Sequence, residues 1–236
     1  MNRIHLFFLL LLFFGSACQR QRSQTHEIIA EEKIEEDKPK DALTEYNRAI
    51  ELDRDNGELY RKRGLLKFDL GDLEGALSDL NTADAKNAAD AETYKIRADI
   101  HVKNKELKLA LPDYDKAIAM KPNYEAAYNN RGLCKLKAGN TKGAMADYNK
   151  AIALDDGYAV AYLNRANLKF KNKEYRPALN DYDKAIELDD RIAEAYFNRG
   201  VLKKTVVDNA GACADWRKAQ ELGVAGAASF LTRYCK

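Results

Sequence analysis

The chain has 236 residues, 46% of them hydrophobic and 32% charged, with 39 basic against 37 acidic side chains and a net charge of +2. That length suits one elongated domain, and the near-even balance excludes a strong electrostatic footprint for nucleic acid. Only three histidines occur, His5, His26 and His101, and there is no glycine-rich phosphate loop or Cys-x-x-Cys pair. No catalytic residue, metal or cofactor is therefore expected.

In chain order, the first segment is residues 1–17. Arg3 gives a positive start, and Leu6 to Phe14 is an unbroken apolar run too short for an ordinary membrane-spanning helix. Gly15-Ser16-Ala17-Cys18 follow, so a secretion signal is expected. Small residues before a cysteine resemble the box of bacterial lipoproteins. That resemblance implies lipidation of Cys18, which becomes the mature N-terminus and holds the protein on the membrane of the cell envelope, at the outer membrane or facing the periplasm. The family favours leucine where Gly15 stands. Ordinary cleavage near Ala17, giving a soluble periplasmic or secreted protein, is the rival reading. Residues 18–24 then read as a lipidated cysteine and a polar tether.

Residues 25–56 hold Ala42, Tyr46, Ala49 and Leu52 at helical steps, preceded by a weaker, charged stretch around Ile28, Ile29, Ala30 and Ile34. From residue 57 a 34-residue period takes over. Tyr60, Tyr94, Tyr128, Tyr162 and Tyr196 mark it, and Phe230 falls at the next step. Gly64, Ala98, Gly132, Ala166 and Gly200 keep the same phase, as do Ala76, Ala110, Ala144, Ala178 and Ala212. So do Leu80, Tyr114, Tyr148, Tyr182 and Trp216, then Ala83, Ala117, Ala151, Ala185 and Ala219. Steps of three and four make each unit two helices, with breaks such as Gly71-Asp72 and Gly139-Asn140 between them.

This pattern resembles the tetratricopeptide repeat, in which small residues, an aromatic and alanines recur at these unit positions. The family's later proline is met only by Pro122. The resemblance implies an all-α fold, a right-handed α-solenoid of 34-residue helix-turn-helix repeats. The five good repeats are 57–90, 91–124, 125–158, 159–192 and 193–222. Residues 25–56 form a degenerate first repeat, and 223–236 a capping helix with Phe230 and Leu231 turned inward. Pro112 falls late in its helix, which is expected to start late or bend.

Two charged residues keep the same beat. Arg63, Arg97, Arg131, Arg165 and Arg199 recur in the first helices, and Asp79, Asp113, Asp147, Asp181 and Asp215 in the second. A stripe for phosphate is one reading. Matched numbers and identical phase favour a structural Arg–Asp ladder, for which the guanidinium fork is suited. Of the remaining cysteines, Cys134 stands where other repeats carry Leu66, Ile100, Leu168 and Leu202, and reads as core filler. Cys213 and Cys235 lie on helices expected to pack together, and an exported compartment allows them to form a disulfide.

The resemblance also implies where partners bind. The inner face of such arrays is lined by the first helices. Asn130, Asn164 and Asn198 recur there, with Asn129 and Asn167 beside them and Leu133, Leu163, Phe197 and Val201 as apolar neighbours. Amides both donate and accept, so such a row suits an extended peptide backbone; it is also what duplication copies without a ligand. Lys95 fits the family's clamp for terminal carboxylates, but Asp99 beside it does not, so no such clamp is expected. The expected function is non-enzymatic: an envelope-anchored scaffold that binds a protein or peptide segment, neither nucleic acid nor metal. The alternative is an assembly subunit of an envelope complex acting through its edges or convex face.

Overall fold

The computed structural model describes residues 3–235, with side chains from residue 17 onward. Thirteen α-helices and no strand occur among the described residues. They are α1 (Arg3–Glu35), α2 (Pro39–Leu52), α3 (Gly57–Asp69), α4 (Leu73–Ala85), α5 (Ala91–Lys103) and α6 (Leu107–Met120) in a first unit, Met1–Met120. The second unit, Lys121–Lys236, holds α7 (Glu125–Lys137), α8 (Thr141–Leu154), α9 (Ala159–Lys171), α10 (Tyr175–Leu188), α11 (Ala193–Thr205), α12 (Asn209–Glu221) and α13 (Ala227–Tyr234). In each unit odd and even helices pack as pairs, and each pair leans on the next, the solenoid type of all-α packing.

The repeated small and aromatic residues explain the pairing. All six alanines from Ala42 to Ala212, and all six from Ala49 to Ala219, are fully buried. Between them lie Tyr46, Leu80, Tyr114, Tyr148, Tyr182 and Trp216, each at most 2% exposed. The first helix must come close to these large side chains. A methyl group on Gly132 would sit 2.8 Å from Tyr148 Cε1, and one on Gly200 2.7 Å from Trp216 Nε1. Glycine at these two positions is thus a packing requirement, while Ala98 and Ala166 hold the equivalent place in the repeats just before theirs.

One turn geometry joins the two helices of every repeat. Asp37, Gly71, Lys105, Gly139, Lys173 and Val207 stand at equivalent places, and all have positive φ. Glycine adopts that conformation freely, whereas Val207, a β-branched residue at φ 69°, does so under strain. Asp72, Asn140 and Asp208 then cap the following helices by accepting from Gly75, Gly143 and Gly211 N–H at 2.9 Å each.

Two expectations change. Pro112 lies inside α6, yet α6 begins at Leu107, the same place in its repeat as Leu73, Thr141, Tyr175 and Asn209 in theirs. The proline does not delay the helix. Residues 18–24, read as a tether, are helical and belong to α1. Ser23 is 2% exposed, and its hydroxyl donates to Ala49 O at 2.9 Å, so α1 packs on α2 well before residue 25. The expected signal, residues 1–17, lies almost wholly outside the residues whose side chains are described. The two chain-terminal pieces differ in another way: Cys18 is exposed, whereas Cys213 and Cys235 are joined by a disulfide with their Cα atoms 5.7 Å apart.

Candidate functional site

The arginines lie between helices, not on a binding surface. Arg63 donates from Nε and Nη2 to Asp79 at 2.8 and 2.7 Å. Arg97, Arg131, Arg165 and Arg199 repeat this two-pronged bond to Asp113, Asp147, Asp181 and Asp215. Each guanidinium also lies over the tyrosine three residues before it, 5.0 to 5.6 Å from the ring centre. The third donor reaches back one repeat: Arg63 to Asn47, Arg97 to Asn81, Arg165 to Asn149 and Arg199 to Asp183. One side chain thus ties three helices. All five aspartates are buried.

A lysine completes the arrangement. Lys67, Lys135, Lys169 and Lys203 stand 2.7 to 2.9 Å from the same aspartates. His101 takes that place in the second good repeat and stands 4.0 Å from Asp113, its Nδ1 facing Glu106 at 2.8 Å. There Arg97 gains a second carboxylate, Asp84, at 2.9 Å. Burial alone would lower the Arg97 pKa, but its bonds to Asp113 and Asp84 outweigh burial and raise it. The guanidinium forks thus face buried carboxylates inside the array, which favours the structural ladder over a phosphate stripe.

The asparagines form a second, different network. Asn164 donates to Asn129 Oδ1 at 2.9 Å, joining α9 to α7. Asn198 donates to Asn167 Oδ1 at 3.0 Å, joining α11 to α9. Glu194 accepts from Asn167 and Asn198 at 3.3 Å each. In the first unit Lys62 occupies the equivalent place and donates to Glu27 and Glu31 on α1. Burial works against the Lys62 charge, yet the two carboxylates outweigh it and raise its pKa. This unit position is a lock between successive first helices, a role that no reading of single residues revealed. Its signal in the sequence is only that the side chain there is long enough to reach a neighbour.

Several expected lining residues are removed from the surface. Leu163 is 5% exposed and belongs to the core around Ala166, Tyr182 and Leu202. Asn129 is 2% exposed and works as the acceptor under Asn164. Phe197 meets Phe230 of α13 edge to face, with ring centres 5.0 Å apart, so the capping helix covers it. Lys95 lies in the first unit and pairs with Asp99 at 3.0 Å. Asn130, Leu133, Asn164, Asn167, Asn198 and Val201 remain half-buried on α7, α9 and α11. The Oδ1 atoms of Asn164 and Asn198 accept no hydrogen bond among the described residues. Two carbonyl acceptors, one repeat apart, are therefore available on this face.

Beneath it, the buried aromatics differ in satisfaction. Tyr182 OH donates to Asn167 Oδ1 at 2.6 Å, and Tyr114 OH to Asp99. Leu133 stands where Asp99 and Asn167 do, and Tyr148 OH has no partner among the described residues; Val201 stands there under Trp216, whose Nε1 also has none among them. Burial pushes the Tyr148 phenol up to about 12.

Comparison with known proteins gives a consistent picture. Family models described as tetratricopeptide repeat match residues 29–92, 97–159 and 159–191. No curated protein matches by sequence. Among solved structures, Pseudomonas aeruginosa PilF is similar at 17% identity and a TM-score of 0.76, covering 91% of this chain and 99% of its own. A tetratricopeptide repeat protein from Parabacteroides merdae is similar at 18% identity and a TM-score of 0.65, over 92% of this chain and 100% of its own. YrrB, described as a tetratricopeptide repeat protein with an unusual peptide-binding site, is similar at 22% identity and a TM-score of 0.63, over 72% of this chain and 88% of its own. At these identities the likeness speaks for the fold.

Proposed function

The chain belongs to the tetratricopeptide repeat family, whose members mediate protein and peptide interactions, and we propose that it is a scaffold that binds a peptide segment of a partner in the bacterial cell envelope. The observation that carries this is the pair of open acceptors, Asn164 Oδ1 and Asn198 Oδ1. An extended backbone presents N–H donors at regular intervals, and two acceptors fixed one repeat apart suit it. Asn164 gives one N–H to the lock, and Asn198 donates to both Asn167 and Glu194. The amides are thus held in one orientation, which lowers the ordering cost of binding. Leu133 and Val201 supply apolar contact beside them. The N-terminal segment and Cys18 support anchoring by lipid, which would hold the captured partner at the membrane.

The test is crosslinking in intact cells with Asn130, Asn164 and Asn198 all changed to alanine. The variant loses the two lock bonds together with the Asn129–Asn130 and Asn198–Glu194 bonds, about 1 kcal/mol each, so its melting curve is recorded first. A folded variant that no longer crosslinks the partner supports the inner face. An unchanged set of crosslinked proteins shifts the function to the edges or the convex face.

A further inference from the structure

Lysine and arginine outnumber aspartate and glutamate by six over residues 121–236, whereas over residues 1–120 the acidic residues lead by four; together these give the chain's +2. The excess in the second unit has a location. The first helices α7, α9 and α11 contain only two carboxylates, Glu125 at the start of α7 and Glu194, which is engaged by Asn167 and Asn198. Their arginines, with Lys135, Lys169 and Lys203, are consumed by the buried aspartates. Lys204 donates to Asn209, and Lys137 and Lys171 are left over. Both are exposed, both end their helix, and neither makes a hydrogen bond or ion pair among the described residues. The nearby turn carboxylates are occupied: Glu174 accepts from Asn172, and Asp208 caps α12. On the first helices of the first unit Arg61 pairs with Glu58 and Asp90, Lys62 with Glu27 and Glu31, and Lys95 with Asp99, while Lys103, at the place of Lys137 and Lys171, lies over the Phe68 ring at 5.3 Å.

We propose that the inner face of α7 and α9 takes an extended acidic segment, in polyproline II conformation, whose carboxylates recur every third residue and meet Lys137 and Lys171. Because α7 and α9 touch directly through Asn164 and Asn129, their lysines repeat at the helix packing distance, about 8–10 Å. A polyproline II strand places every third side chain on one side at about 9.3 Å, three steps of its rise, so the two periods agree. A β-strand alternates its side chains and puts the third residue on the wrong face. Glutamates on the lysine side leave backbone N–H groups of the segment for Asn164 Oδ1. The covered Phe197 ends the face, since α13 closes over it. This inference rests on the peptide-binding reading above and adds the chemistry of the partner.

The experiment uses the full chain and three fluorescent peptides, four copies each of Glu-Pro-Pro, Gln-Pro-Pro and Lys-Pro-Pro, followed by anisotropy at low and high salt. The Glu-Pro-Pro peptide is expected to bind, to weaken with salt, and to lose about ten-fold in affinity when Lys137→Ala and Lys171→Ala are combined, the loss of two exposed ion pairs. The inference is overturned if Glu-Pro-Pro fails to bind, if Gln-Pro-Pro binds as well, or if the double variant binds unchanged. It is also overturned if a single-stranded oligonucleotide of equal charge binds as tightly and loses as much in the variant. The asparagine crosslinking result is independent of all these outcomes, so failure of the acidic specificity and failure of the peptide-binding face are read separately.

Discussion

Arginine and tyrosine show how far a repeated residue reveals its own job. The Arg–Asp pairing was legible in the sequence because both members recur in phase. The third contact, from Arg165 back to Asn149, was not, because it depends on how one repeat stacks on the last. Arg165→Ala strips Asp181 of its two-pronged partner while leaving Lys169, and should cost about 3 kcal/mol, seen as a lower urea midpoint. The buried tyrosines make a sharper comparison. Tyr182→Phe removes one of the two hydrogen bonds that Asn167 Oδ1 accepts and should destabilise by about 1 kcal/mol, whereas Tyr148→Phe removes a hydroxyl that has no partner among the described residues and should be neutral or stabilising in the same assay. Equal losses in both variants would mean that Tyr148 OH finds a partner in solution. The expectation that Leu163 lines the inner face failed for a related reason: its unit position faces the contact with the neighbouring pair, as buried Asn129 one repeat earlier also does.

Among elements, α13 carries the most consequence for its size. It packs on α12 through Phe230, whose ring lies 5.0 Å from Trp216 and from Phe197, and the Cys213–Cys235 bond ties its end to α12. On the chain-entropy model that bond stabilises by about 3 kcal/mol. Trp216 is the chain's single tryptophan, so its fluorescence reports the cap directly. Reduction by a dithiol should shift that emission and lower the unfolding midpoint. An unchanged spectrum would show that the aromatic contacts hold α13 without the bond. The cap's existence was legible from the broken period after residue 222, and its ring contacts were not, because they join residues 33 and 14 positions apart with no shared phase. The turns were legible where glycine marks them and obscure at Val207, where the same backbone is imposed on a residue that resists it.

For the whole molecule, the solenoid class followed from the period alone, since a two-helix unit cannot bury its apolar face without neighbours. Attachment to a membrane rests on the first eighteen residues. Metabolic labelling with a radioactive fatty acid should mark the wild-type chain and not a Cys18→Ser variant; no label on either would favour a soluble exported protein, and equal labelling of both would place the lipid on another residue.

The lock between first helices bears on how the chain avoids tangling itself. Near-copies placed in tandem invite a repeat to dock on the wrong neighbour while folding. Here the contact changes character along the chain. Lys62 meets two glutamates, buried Ile96 belongs to an apolar cluster that Leu65 packs against, and Asn164 and Asn198 meet amides. Lys62 set against Leu65 would strand an ammonium, and Ile96 set against Glu27 and Glu31 would strand two carboxylates. A single position per repeat thus serves as an address, and the order of the repeats is spelled in ions, hydrocarbon and amides.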